Sequence, residues 1–73
     1  MTMDLKAVTD KRVSDNVRRA LHRSGVTQTD AARAARMNNS GLSRSLHGMR
    51  QWRVDEVVRL ARALDVTVEE LVG

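Results

Sequence analysis

The sequence contains no cysteine, no proline, no phenylalanine and no tyrosine, and its 73 residues include one tryptophan and four glycines. The absence of cysteine excludes disulfide bonds and thiolate metal ligands. The two histidines, His22 and His47, lie 25 positions apart without cysteine partners, which is not the spacing of a zinc site. We therefore expect neither a metal nor another cofactor, and a core built almost entirely from aliphatic side chains.

Long apolar runs are also missing from the chain. No segment approaches membrane-spanning length, and the N-terminus lacks the apolar core of a secretory signal. These absences predict a cytoplasmic protein without a membrane partner. The chain also lacks a phosphate-cradling glycine loop and any Ser/His/acid set at plausible spacing. We therefore predict that it is not an enzyme and has no small-molecule substrate.

Charge is unevenly distributed along the chain, whose net charge is +4. Residues 31–54 carry five arginines and no acidic residue, whereas residues 55–73 carry five acidic residues and two arginines. A basic middle segment of this kind points to a polyanion that meets one face of the domain. Arginine outnumbers lysine eleven to two, and its planar fork suits phosphate and guanine. Two alternatives stay open: a solvated charged face, and an arginine bias that reflects a GC-rich genome.

Three segments share one helix-start pattern: an apolar residue, then a threonine, then an apolar residue at the fourth helical position. The three pairs are Val8-Thr9, Val26-Thr27 and Val66-Thr67. Asp30 and Glu70 stand three residues after the last two threonines, as in a capping box. The pattern predicts a helix that begins directly after each of the three threonines.

The periodicity of the apolar residues completes the fold prediction. We expect an all-α fold, with a compact five-helix domain over residues 9–73 that follows a frayed or weakly helical N-terminal arm over residues 1–8. The predicted helices cover residues 10–24, 28–36, 39–47, 54–64 and 68–72. The predicted inward-facing residues are Val13, Val17, Ala20, Leu21, Ala31, Ala32, Ala35, Met37, Leu42, Leu46, Val54, Val57, Val58, Ala61 and Leu64.

The most informative stretch is residues 27–50: a short alanine-rich helix, a turn, and a second helix that carries short polar side chains and ends at a glycine. This order is typical of a helix-turn-helix, whose second helix enters the DNA major groove. The outer face of that helix must carry groups that bind base edges, since an amide pairs with adenine and a guanidinium with guanine. The predicted base contacts are Asn39, Ser40, Ser43, Arg44 and His47. A solvated face is the alternative for this set, and stabilisation by the helix dipole is the alternative for His47.

This stretch and the residues after it resemble the lambda-repressor/Cro family of phage and bacterial repressors, also called the XRE type. The resemblance covers about residues 13–72 and rests on Gln28, on the segment MNNSGLSRSLHG and on the tail WRVDEVVRLARALDVTVEEL. It implies a lambda-repressor-like domain whose partner is double-stranded operator DNA. In the family, the residue at the position of Gln28 clamps a phosphate and buttresses the recognition helix. The resemblance also implies that Asn39, Ser40 and Arg44 read base edges.

A second set of residues is predicted to contact the DNA backbone, from the family's roles and from the charges around the turn. This set is Thr27, Gln28, Arg36, Asn38, Arg50 and Arg53. Asn38 also suits a helix cap. Three positions depart from the family pattern: Arg36 stands where glycine is common, Ser45 where an apolar residue is usual, and Met49 where lysine is usual. Because Met49 replaces the usual lysine, we expect Arg50 or Arg53 in the same loop to make the phosphate contact instead.

These features predict a transcriptional repressor that acts by binding operator DNA. Its expected location is the nucleoid, in the cytoplasm of a bacterium or of a phage-infected host. One recognition helix reads too few base pairs for a genome, so we expect a homodimer on a palindromic site with half-sites about 34 Å apart. Candidate dimer surfaces are Leu71 with Val72, and the loop at 48–53. The sequence leaves open an antitoxin that regulates its own operon, an interaction adaptor that has lost DNA binding, and the choice between phage and host origin.

Two further features have plainer interpretations. Trp52 fits a core or loop anchor better than a stacking platform for a ligand. Arg18, Arg19 and Arg23 fit a solvated face of the first helix. Membrane-surface binding by residues 10–24 ranks last, because their apolar side is needed for the core.

Overall fold

The computed structural model describes residues 5–73, and the side chains of residues 10–73. The described residues form five helices and no strand, so the predicted all-α fold is confirmed. The helices are α1 (Leu5–Ser24), α2 (Gln28–Ala34), α3 (Asn39–Leu46), α4 (Val54–Leu64) and α5 (Val68–Val72). α1 packs against α3, α4 and α5, and α2 packs against α3 and α4. None of these helices is long and apolar enough to cross a bilayer.

The start of α1 differs from the prediction. The helix begins at Leu5 rather than directly after Thr9, so residues 5–8 of the predicted arm are helical, and residues 1–4 lie outside the described residues. No glycine or proline interrupts the first 24 residues, and Leu5, Lys6 and Ala7 are good helix formers. The helix therefore extends backward past the threonine. Its end is where the sequence predicts it, before Gly25, whose φ of +72° suits a left-handed cap.

The other two threonines cap helices as predicted. Thr27 Oγ1 accepts a hydrogen bond from the Asp30 amide and Thr67 Oγ1 accepts one from the Glu70 amide, each at 3.1 Å. Both bonds satisfy an amide that has no partner within its helix. The Asp30 carboxylate lies 3.8 Å from the Arg33 guanidinium in an exposed ion pair.

The core lies where all five helices meet. Its buried apolar residues are Val13, Val17, Ala20, Ala31, Ala32, Ala35, Leu42, Leu46, Val57, Leu60, Ala61, Leu64 and Leu71. Two predictions about this core are wrong. Val54 was expected inside but is 82% exposed, because it stands at the first residue of α4, beyond the edge of the bundle. Leu71 was a candidate for the dimer surface but is 1% exposed, because α5 turns it toward α1. Leu60, which the periodicity argument overlooked, is fully buried.

Candidate nucleic-acid interface

The connection between α2 and α3 is a tight turn through Arg36. The Ala35 amide donates to the Ala31 carbonyl at 2.9 Å, and the Met37 amide donates to the Ala32 carbonyl at 2.8 Å. Between them Arg36 has a φ of +57°, in the left-handed region that favours glycine. The buried alanines of α2 leave room for α3 to approach closely. The bend thus has the helix-turn-helix form although an arginine occupies the position where glycine is common.

The start of α3 is held by Asn38. Its Oδ1 accepts a hydrogen bond from the Gly41 amide at 2.7 Å and another from Ser40 Oγ at 3.2 Å. A Cβ atom at position 41 would lie 2.9 Å from that oxygen, so a residue larger than glycine there would displace the capping oxygen. The interpretation of Asn38 as a helix cap is confirmed, and the DNA-backbone contact predicted for it stays a prediction.

The outer face of α3 presents the predicted base-contacting side chains to solvent. Asn39, Ser40, Arg44 and His47 are exposed, and Ser43 is half-buried. Gln28 Nε2, at the first residue of α2, donates to Asn39 Oδ1 at 3.1 Å. This bond ties the starts of the two helices together, as the buttress implied by the resemblance requires.

Comparison with known proteins agrees with this geometry. The family model described as a helix-turn-helix domain matches residues 13–72. The chain belongs to the helix-turn-helix domain family. The predicted resemblance to its XRE type is confirmed, and α3 is therefore the recognition helix of a DNA-binding domain. No curated protein matches the sequence.

A solved structure shares the fold of this helix-turn-helix protein. It is the restriction-modification controller protein C.AhdI from Aeromonas hydrophila, which superposes with a TM-score of 0.80. The alignment covers 88% of this chain and 97% of that chain, at 22% sequence identity. At this identity the likeness shows the arrangement of the helices and nothing further.

The end of the recognition helix is fastened to α1. Ser14 Oγ donates to the Ser45 carbonyl at 2.8 Å, and Arg18 Nη2 donates to the Leu46 carbonyl at 2.6 Å. The Leu46 carbonyl lies in the last helical turn and lacks a partner within the helix, so Arg18 satisfies it, whereas the Ser45 carbonyl accepts the Gly48 amide at 3.1 Å as well as Ser14 Oγ. Arg18 is exposed, as expected for a solvated face, but it also makes this contact, which the sequence does not signal because 28 residues separate Arg18 from Leu46. His47 Nδ1 lies 2.7 Å from the Ser43 carbonyl at the same helix end.

Beneath the recognition helix lies a buried polar cluster that sequence reasoning missed. Ser45 is fully buried, and its Oγ accepts a hydrogen bond from Arg50 Nη1 at 2.6 Å. The same guanidinium binds both carboxylate oxygens of Glu56, a residue that is 5% exposed. Glu56 Oε1 also accepts the Arg53 amide at 3.0 Å at the start of α4. We define Ser45, Arg50 and Glu56 as the anchor cluster.

The anchor cluster changes the assignment of Arg50. The sequence predicts that Arg50 contacts the DNA backbone, whereas in the structure its guanidinium binds Glu56 and Ser45. Burial alone would raise the pKa of the Glu56 carboxyl, but hydrogen bonds from Arg50 and the Arg53 amide, together with the Arg50 charge, hold that pKa below its ordinary value. Glu56 is therefore ionised at neutral pH, and Arg50 is its counter-ion.

The remaining predicted backbone-contacting residues lie around the rim of the recognition helix. Thr27 and Arg36 are exposed, and Gln28 is half-buried. Arg53 is exposed, and its Nε lies 3.9 Å from Asp55 Oδ1. This exposed ion pair is too loose to hold the Arg53 guanidinium in place. Among the described side chains, no carboxylate lies within 4.0 Å of the Arg36 or Arg44 guanidinium. The face is thus cationic and outward, and suited to a phosphate-lined groove.

Proposed function

We propose that this protein is a transcriptional regulator, of the repressor type, that binds a palindromic operator as a homodimer. The observation that carries the proposal is the exposed row of amide, hydroxyl and guanidinium groups on a recognition helix that is capped at Asn38 and buttressed by Gln28. Such groups bind base edges in the major groove. Membership of the helix-turn-helix domain family supports a DNA-binding regulatory role.

The proposed contacts divide into two sets. Base edges are read by Asn39, Ser40, Ser43, Arg44 and His47. The DNA backbone is contacted by Thr27, Gln28, Arg36, Asn38 and Arg53. Arg50 leaves the second set, because an arginine paired with a buried carboxylate is not free for a phosphate. The amides at the start of the recognition helix add a favourable partial positive charge toward phosphate.

The test of base reading is Arg44→Ala. A site is first selected from random DNA, and the recovered motif is inspected for two-fold symmetry. On that site we expect a loss of about 1–3 kcal/mol in binding free energy, with relaxed preference at one base pair of each half-site. The reason is that a guanidinium aimed at a guanine edge contributes only on the matching sequence.

The matched control is Arg19→Ala, which removes the same charge from the side of α1 that faces α5. Arg19 is exposed and hydrogen bonds to Asn16, whose side chain in turn bonds the Leu71 carbonyl. The control should bind the selected site almost as the parent does. An equal loss of affinity of the Arg44 variant on selected and random DNA would contradict the base-reading role. Affinity that does not fall as salt rises would instead favour the adaptor alternative.

The proposed dimer needs a surface, and the exposed apolar residues supply one. Val54 is 82% exposed, Val68 and Val72 are each 39% exposed, and all three line one shallow concavity with Trp52. Met49 in the loop after the recognition helix is 74% exposed but lies outside that concavity. We propose the concavity, rather than the tip of the loop, as the homodimer surface.

Sedimentation of two variants separates these surfaces. Val54→Asp places a charge in the concavity, at a helix start where a carboxylate suits the dipole and the fold is preserved. We expect it to sediment as a monomer and to lose cooperative binding of the palindrome. Met49→Asp places the same charge on the loop tip and should leave the parent's oligomeric state unchanged. The reverse pattern would move the interface to the loop.

A further inference from the structure

The anchor cluster joins three elements that the fold would otherwise leave independent. Ser45 belongs to the recognition helix, Arg50 to the loop that follows it, and Glu56 to the first turn of α4. The guanidinium at its centre donates to three side-chain oxygens, namely Ser45 Oγ and both carboxylate oxygens of Glu56, and makes a longer contact of 3.4 Å with the Gln51 carbonyl. Among residues 10–73, every buried side-chain polar atom has a hydrogen-bond partner. The cluster is therefore a completed polar network in an otherwise aliphatic core.

A second connection reaches the same residue of the recognition helix through its carbonyl. Trp52 Nε1 donates to Ser14 Oγ at 2.8 Å, and Ser14 Oγ donates to the Ser45 carbonyl at 2.8 Å. The Trp52 amide also donates to Asp10 at 3.3 Å, which holds the loop against α1. Residue 45 is thus bound through its side chain by Arg50 and through its carbonyl by Ser14. Two directional contacts at one residue fix both the rotation and the axial position of a helix.

We propose that Glu56 and Arg50 are positioning residues for DNA recognition, which act by orienting the recognition helix through Ser45. The proposal rests on the proposed function, since it concerns how the base-reading face is presented. Glu56 is buried and negatively charged, so any effect of this residue on DNA binding must be transmitted through the groups that it binds, which are the Arg50 guanidinium and the Arg53 amide.

The energetics favour a positioning role over a stabilising one. Replacement of a buried ion pair by apolar side chains of similar volume is often neutral or stabilising, because two charges must otherwise be desolvated. A fork-shaped guanidinium with three fixed acceptors, in contrast, allows very little freedom of distance or angle. Base edges demand placement within about 0.5 Å, whereas phosphate contacts tolerate small shifts. Loss of the cluster should therefore reduce binding to the selected site far more than binding to random DNA.

The test is the double variant Arg50→Met/Glu56→Leu, which removes both charges and leaves no unpaired partner between them. Urea unfolding, followed by the fluorescence of Trp52, is expected to show a folded protein with at most a modest loss of stability, because loss of the ion pair itself is close to neutral while the Ser45 hydroxyl and the Arg53 amide each lose one hydrogen-bond partner. Affinity for the selected site is expected to fall about tenfold, the effect of losing the geometry of one base contact, with affinity for random DNA nearly unchanged. The matched control is Arg12→Met/Glu70→Leu, which makes the same charge change on the exposed side near α5 and should leave both affinities unchanged.

A measurement without DNA keeps the proposal independent of the proposed function. Amide hydrogen exchange of the free double variant should show lower protection in the recognition helix, with protection in α1 and α4 retained. If the parent shows no sequence preference but this local loss occurs, the proposed function fails and the positioning role holds. Unchanged protection and an unchanged ratio of affinities would overturn the positioning role. An equal loss on both DNAs, with a salt slope smaller by about one unit, would also overturn it, because it would return Arg50 to the phosphate backbone.

Discussion

Replacement of Arg36 by glycine should make the protein more stable and its DNA binding weaker. Arg36 has a φ of +57°, where a residue with a side chain is disfavoured by roughly 1–2 kcal/mol. Glycine removes this strain, but its greater freedom in the unfolded chain costs about 0.5–1 kcal/mol. The difference of the two ranges is a net gain of about 0–1.5 kcal/mol in the free energy of unfolding, which raises Tm by up to about 6–12 °C in a domain of this size. The same change removes one exposed cation from the rim of the recognition helix.

The two effects are measured separately. Thermal unfolding followed by circular dichroism gives the change in Tm, and titration of labelled DNA at several salt concentrations gives the salt slope. The slope should fall by about one unit if Arg36 neutralises a phosphate. Arg36→Lys is the matched control, because it keeps both the charge and the strained backbone. We expect it to retain the parent's Tm and salt slope.

The outcomes that would refute this reasoning are distinct. A lower Tm for Arg36→Gly would mean that the strain at the turn is not relieved by glycine, and that the bend is stabilised by the arginine side chain instead. An unchanged salt slope would remove Arg36 from the proposed backbone contacts without affecting the turn geometry. A weaker slope for Arg36→Lys as well would show that the contact needs the guanidinium fork and not only a positive charge.

Two further predictions concern stability. Leu60→Ala should lower the free energy of unfolding in urea by about 2–5 kcal/mol, because Leu60 is fully buried in α4. Arg62→Ala, at an exposed residue of the same helix outside the proposed dimer surface, should change that free energy by less than about 0.5 kcal/mol, and equal losses would contradict the assigned core. The folded-state pKa of Glu56 lies below its ordinary value of 4.5, so its stabilising contribution is fully present above that pH and is lost as the pH falls through the lowered pKa. Below about pH 4.5, the free energy of unfolding of the Glu56→Gln variant should therefore depend less steeply on pH than that of the parent. The measurement is urea unfolding at several acidic pH values, and identical curves for variant and parent would exclude Glu56 as a source of acid sensitivity.

The parts of the fold that were predictable are those with a local physical cause. The starts of α2 and α5 follow from Thr27 and Thr67, whose hydroxyls bind an amide three residues on and need no other part of the chain. The start of α1 was not predictable in this way, since Thr9 resembles the other two threonines. Nothing in the preceding residues ends a helix, and a cap residue does not operate when the backbone before it is already helical.

The outward face of the recognition helix was predictable for a similar reason. Residues 39, 40, 43, 44 and 47 share one side of any helix that spans them, because the spacing follows the helical period. Their exposure required only that the other side be apolar, which Leu42 and Leu46 ensure. The contact between Gln28 and Asn39 came from the family resemblance, since eleven residues separate them and no spacing rule joins two different helices.

The anchor cluster shows where sequence reasoning stops and why. Ser45 was recognised as a departure from an apolar position, and Arg50 was assigned to DNA because it lies in a basic loop. In the sequence, Ser45 and Arg50 are two unrelated features. In the structure they have one cause, because the Ser45 hydroxyl accepts a hydrogen bond from Arg50 and Glu56 neutralises the charge of Arg50. An apolar residue at position 45 would leave that guanidinium without its contact to the recognition helix. The serine and the inward arginine are therefore one physical feature, and substitution of either should be judged by its effect on the orientation of the recognition helix.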